Sequence, residues 1–438
     1  MKRRCTRVVA AIAAAVLGFS QCSTNAFAAV TTFNPRECHV AAKGTAAPDQ
    51  SWHFERLQMN RVWKLATGKG VTVAVIDTGT ATEGSLYLQE ADDKRFTAYD
   101  TLGGLKSNGN EQLDEFDCLH GTRVTSLLAG GRSKDGGPLD GRVEFSGIAP
   151  EVKVITYRSL FTSEGPKEGE EQTEMPLQPT TEAVLDAVKR KVDVINLSQV
   201  VSNQVQGFEN FRDAIQLAID NGIVVVAAAG NTGQLPGVAA YPASFPGVIS
   251  VGSTTRNDAA SEGSAAGGKV DIGAPGEGVQ ALDPSNYDSV RGIESQVYSG
   301  PITGTSYATP IVSGIVALMI EKQRADGLSR LTPAEVRQRL IETADPPPAA
   351  NPDPRIGAGI VNPLRLLSGE VPQIYPNEGA ATELPAKHYP PSKVVAQRPV
   401  VIGIVLGVVA LLLVVGGVVL AIVVPQARKV SREERGLK

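Results

Sequence analysis

An excess of charge of either sign is absent: 42 Lys and Arg stand against 46 Asp and Glu in 438 residues, a formal net charge of -4. A nucleic-acid surface needs clustered Lys and Arg to neutralise phosphates, so DNA and RNA are excluded as the partner class. Cysteine is scarce, with 4 in the chain, and no Cys or His lies at metal-ligand spacing around Cys38 beyond the adjacent His39. Neither a metal nor a cofactor is expected. Histidine is equally rare, with 4 copies at His39, His53, His120 and His388, so a histidine at the start of a helical pattern carries information. No internal repeat is present. Against these absences, 42% hydrophobic and 20% charged residues exclude wholesale disorder, and the length allows one large core or two smaller ones.

The two ends set the compartment. Lys2, Arg3, Arg4 and Arg7 precede an apolar run from Val8 to Phe19 and small residues ending in Ala26-Phe27-Ala28, the pattern of a secretory signal cleaved after Ala28 (residues 1–28). Near the other end, residues 400–424 carry no charge and no Pro, about 25 residues that cross roughly 30 Å of hydrocarbon as one helix. Arg428, Lys429, Arg432, Arg435 and Lys438 follow it, which places the tail, 425–438, in the cytoplasm by the positive-inside bias. The intervening chain is therefore expected outside the cytoplasmic membrane. With the signal go Cys5 and Cys22, leaving Cys38 and Cys118. In an exported protein such a pair reads most simply as a disulfide whose loop of about 80 residues stabilises by about 4 kcal/mol, with two free thiols as the alternative.

Between the ends, short β-branched runs alternate with helical patterns, which predicts a doubly wound, mostly parallel α/β sheet. Strands are expected at 71–76, 152–157, 192–197, 223–229 and 248–251, and helices at 181–190 and 208–221. Stretches 83–117, 162–180 and 283–300 break the rhythm and read as surface insertions. The core ends near Ser368. The expected organisation is an N-terminal extension (29–55), a catalytic domain (56–370), a Pro-rich spacer (371–399), the membrane helix and the tail.

Four segments carry chemistry together. Val73-Ala-Val-Ile-Asp77-Thr-Gly79 ends a buried strand in a carboxylate. His120-Gly-Thr opens a helical run whose apolar face is Val124, Leu127 and Leu128. Asn231 follows the strand pattern 223–229, and Gly304-Thr-Ser306 stands at the mouth of an apolar helix. Each alone has a structural explanation: a capping Asp, a core His, a turn Asn, an N-cap Ser. Asp-Thr-Gly also occurs in aspartic proteases, yet no second partner triplet stands elsewhere and the His and Ser segments would be unexplained. In the order Asp77, His120, Asn231, Ser306, the set supplies an orienting carboxylate, a base, an oxyanion donor and a nucleophile.

These blocks, with Ser146-Gly-Ile-Ala-Pro150, Val192 to Ser198, Tyr241 to Val248 and Val270 to Gly276, resemble the subtilisin-like serine proteases over roughly 55–368. The resemblance implies Asp77, His120 and Ser306 as the catalytic triad, with Asn231 and the Ser306 N–H as the oxyanion hole. Signal, anchor and basic tail make the chain similar to the mycosins, the membrane-anchored subtilases of mycobacterial type VII secretion systems. That implies protein substrates and a membrane secretion complex as partners, with a scaffolding role as the alternative to proteolysis. Two departures stand out. Residues 29–55 leave no room for a chaperone prodomain, so the segment is expected to stay with the enzyme, where a Cys38–Cys118 bond would pin it near His120. After Ser198, Gln199-Val-Val201 replaces the Gly-Gly of many subtilases.

Overall fold

The computed structural model describes residues 30–32, 52–82, 85, 87–88, 95–102, 118–133, 139, 145–160, 176–232, 239–265, 268–284, 287–288, 292–293, 297–348 and 351–369. The chain divides into two compact units, Met1–Gln373 and Ile374–Lys438, and every described residue belongs to the first. Among these residues no helix is long and apolar enough to cross a membrane. The signal sequence, Cys38, the spacer and the 400–424 run lie outside them.

In chain order the elements begin with β1 (Thr31–Thr32), α1 (Trp52–Arg56), α2 (Met59–Val62), β2 (Thr72–Asp77), β3 (Phe96–Asp100), α3 (Leu119–Ala129) and β4 (Lys153–Arg158). They continue with α4 (Gln178–Lys189), β5 (Val194–Leu197), α5 (Phe208–Asp220), β6 (Val224–Ala228), β7 (Ile249–Thr254) and β8 (Ile272–Pro275). After the short strands β9 (Leu282–Asp283), β10 (Tyr287–Asp288), β11 (Gly292–Ile293) and β12 (Val297–Tyr298) come α6 (Thr305–Ala325), α7 (Pro333–Glu342) and α8 (Pro363–Ser368).

Strands β1 to β8 form one sheet in the order β1-β3-β4-β2-β5-β6-β7-β8, parallel throughout except for β1, which runs antiparallel to β3. Apolar residues alternate between two cores rather than between core and water. Val73 and Val75 face a core shared with α3 and α6, whereas Ala74 and Ile76 face one shared with α4 and α5. Burial on both faces is the reason these strands read as continuous apolar runs.

Two corrections to the expected layout follow. The stretch 83–117 is not wholly an insertion, because Phe96–Asp100 is a sheet strand, hidden in the sequence by its partial exposure beside the β1 edge. The stretch 283–300 contributes strand β12, which pairs with β9. The N-terminal extension also joins the fold: Thr31 and Thr32 pair with Asp100 and Tyr99, and Trp52 and His53 are buried.

From β2 the chain places β3 and β4 to one side and β5 to β8 to the other. The carboxyl end of β2 is thus the point where strand order reverses, the crevice where doubly wound sheets hold their chemistry. Asp77 stands there.

Candidate active site

Asp77 is fully inside the protein, and its Oδ1 accepts hydrogen bonds from the Thr78 N–H at 2.7 Å and from His120 Nδ1 at 2.8 Å. Since a carboxylate only accepts, Nδ1 carries the proton and Nε2 presents a lone pair. The turn after β2 is fastened to the first turn of α3: Gly121 N–H donates to Thr78 Oγ1 at 3.0 Å and Ala81 N–H to Thr122 Oγ1 at 2.9 Å. The approach is so close that a Cβ on Gly121 would lie 1.9 Å from the Gly79 carbonyl oxygen. Only glycine lets the helix bring His120 onto Asp77.

Ser306 is the second residue of α6. Helical geometry leaves its N–H without a partner in the preceding turn, next to the positive end of the helix dipole. Its carbonyl faces the opposite problem, because Pro310 four residues later has no N–H to donate. Ser198, just past β5, fills that place by donating Oγ–H to the Ser306 carbonyl at 2.8 Å. Asn196 Nδ2 donates to Ser198 Oγ at 3.1 Å, and Ser313 Oγ donates to Asn196 Oδ1 at 2.9 Å. The Ser306 backbone is therefore tied to the sheet through a satisfied chain of hydrogen bonds.

Asn231 follows β6. The Thr305 N–H at 3.0 Å and the Thr305 hydroxyl at 3.1 Å converge on one amide atom, which must be the oxygen, so Nδ2 is the donor of that group. A Cβ built on Gly304 would lie 3.2 Å from Ser306 Oγ and 3.6 Å from Asn231 Nδ2. Both groups thus border one small space that the absent side chain leaves open, the arrangement an oxyanion needs.

The structure brings Asp77 to His120 and Asn231 to Ser306, and the ring of Tyr307, next after Ser306, lies 5.4 Å from that of His120. Cys118 immediately precedes α3 and is disulfide-bonded. Sequence reading did not single out Ser198, Thr305 or Tyr307. Pro310 four residues after the serine is the signal that a carbonyl there needs an outside donor. Among the described residues, no group of three or more His, Cys, Asp or Glu is placed to hold a metal ion. Past Ser198, the Val201 backbone exchanges hydrogen bonds with Tyr241 at 2.8 and 3.1 Å, committing that stretch internally.

Residues 68–359 match the subtilase family. Mycosin-4 of Mycobacterium tuberculosis is 33% identical over 350 residues, 75% of this chain and 70% of that protein. The crystal structure of MycP1 from Mycobacterium smegmatis aligns with a TM-score of 0.55 at 27% identity, covering 77% of this chain and 89% of that one. A chain in the periplasmic assembly from the ESX-5 inner membrane complex aligns with a TM-score of 0.58 at 25% identity, covering 83% of this chain and all (100%) of that one.

Proposed function

The chain belongs to the subtilase family, and we propose that it is a membrane-anchored mycosin-type endopeptidase that cuts proteins outside the cytoplasmic membrane in association with type VII secretion. The observation that carries the catalytic part is the 2.8 Å bond from His120 Nδ1 to a buried Asp77, with Ser306 and Asn231 bordering one space. In this reading Ser306 Oγ attacks the scissile carbonyl while its proton passes to His120 Nε2. The carbonyl oxygen becomes an anion held by Asn231 Nδ2 and the Ser306 N–H. His120 then returns the proton to the leaving amine, and water repeats the sequence on the acyl-enzyme. Asp77 keeps the imidazole in the productive tautomer and stabilises its cation.

Anchoring rests on the 400–424 run and the basic tail after it. The partner of the Cys118 disulfide is Cys38 in this reading, which holds the N-terminal extension beside the helix that carries His120.

A second role as a structural subunit of the secretion complex is supported by the likeness to a chain of the ESX-5 periplasmic assembly. Complementing a deletion strain with Ser306→Ala separates the two. Secretion restored by the inactive chain, with substrate left uncut, is the outcome for a scaffold; secretion restored only by the wild type places the work on proteolysis.

A further inference from the structure

One hydrogen bond at Nδ1 fixes where the His120 imidazole is held but leaves the ring free to tilt about that bond. A second restraint lies on its other side. Tyr307 is buried, with its ring 5.4 Å from the imidazole and inclined at 45°. Its phenol in turn lies against the Arg123 guanidinium, which attracts the phenol oxygen. Arg123 stands three residues after His120, on the same face of α3. Its Nε donates to Asp283 Oδ1 at 2.7 Å, and that carboxylate is 1% exposed. Asp283 ends β9, whose partner across the stretch 284–296 is β12.

The surroundings make this arrangement stiff. The Leu282 N–H donates to Ser126 Oγ at 3.0 Å, tying β9 to the same helix one turn further on. Burial, with the nearby Asp77 and Asp283 carboxylates, holds the Tyr307 phenol above its ordinary range against the pull of Arg123, so it stays protonated at working pH. A neutral aromatic wall beside His120 can fix the ring without competing for its proton.

Resting on the reading of Asp77, His120 and Ser306 as a triad, we propose that Tyr307 is a positioning residue that sets the tilt of the His120 imidazole, and that Arg123 and Asp283 hold Tyr307 in place. The base would then be aimed from both sides, by Asp77 through one nitrogen and by the β9 strand through the ring face. The stretch that begins at Asp283 would thereby be coupled to the reacting atoms.

The test uses the full chain and two readouts: the rate of fluorophosphonate labelling of Ser306, and the low-field proton resonance of the His120 Nδ1–H. Tyr307→Phe keeps the ring and removes the phenol oxygen; Asp283→Asn keeps the shape and removes the charge. Each is expected to slow labelling about tenfold or more, as small misplacements of a catalytic group do. The double variant is expected to be no slower than the slower single one, because both act through one contact. Asp283→Glu should recover part of the loss. Labelling at the wild-type rate in Tyr307→Phe and Asp283→Asn, or losses that multiply in the double variant, would overturn the proposal. If the wild type is not labelled at all, the triad reading fails, and the resonance decides the positioning claim separately. A signal broadened or shifted by Asp283→Asn supports it, and one unchanged by both variants overturns it.

Discussion

Ser306 is held at its backbone by an atom that the helix cannot supply. Pro310 removes the N–H that would bond its carbonyl, and the Ser198 hydroxyl takes that place at 2.8 Å. Ser198→Ala is therefore expected to leave the carbonyl unpaired in a dry setting and lower kcat for peptide cleavage by about tenfold, the equivalent of one net hydrogen bond near 1.4 kcal/mol. Pro310→Ala restores an N–H at the right position, so the same Ser198→Ala change should cost less in that background; an equal loss in both would disprove the compensation. At this scale the sequence offers candidates for the reacting groups but not what holds them. Asp77, His120, Asn231 and Ser306 stand out by residue type and order, whereas Ser198, Thr305 and Tyr307 act through contacts that only the folded chain creates.

Elements were legible where burial made them monotonous. The runs at β2, β4, β5, β6 and β7 lie between two cores, so their apolar character is continuous and their placement came within a few residues. Strand β3 escaped because its five residues are only partly covered, and β8 because Ile-Gly-Ala-Pro lacks the β-branched signature. The short helix α1 was likewise invisible as part of the core, yet it carries a consequence. His53 on α1 is wholly buried, neither ring nitrogen has a hydrogen-bond partner among the described residues, and burial pushes its pKa down from 6.5 to about 3. The folded state thus refuses a proton that the unfolded chain accepts. Above pH 6.5 both forms are neutral and nothing is lost; below it the unfolded state binds more protons, so stability falls by up to roughly 1.4 kcal/mol per pH unit toward pH 3. Denaturant midpoints measured across that window should decline in the wild type and decline less in His53→Leu. Parallel slopes in the two proteins would remove His53 as the cause.

At the scale of the whole molecule, the residues proposed to react gather where the strand order of the sheet reverses, and other segments are fastened to that point. Residues 31–32 extend the sheet beyond β3, α1 packs into the core, the Cys118 disulfide sits at the entry to α3, and β9 brings Asp283 to Arg123. The doubly wound class was readable from the alternation of strand and helix, and with it the edge of the sheet where the proposed site lies. The engagement of the N-terminal extension was foreshadowed by its shortness and by the expected Cys38–Cys118 bond, but its edge pairing was not, because two threonines leave no pattern. An endopeptidase built on this plan must carry one serine far more nucleophilic than any other in the chain. The decisive measurement is fluorophosphonate labelling of the full chain, followed by mapping of the modified peptide, with Ser306→Ala alongside. A single adduct on Ser306 that disappears in the variant is the predicted result; an unlabelled wild type, or an adduct on another residue, would contradict the assignment of the triad.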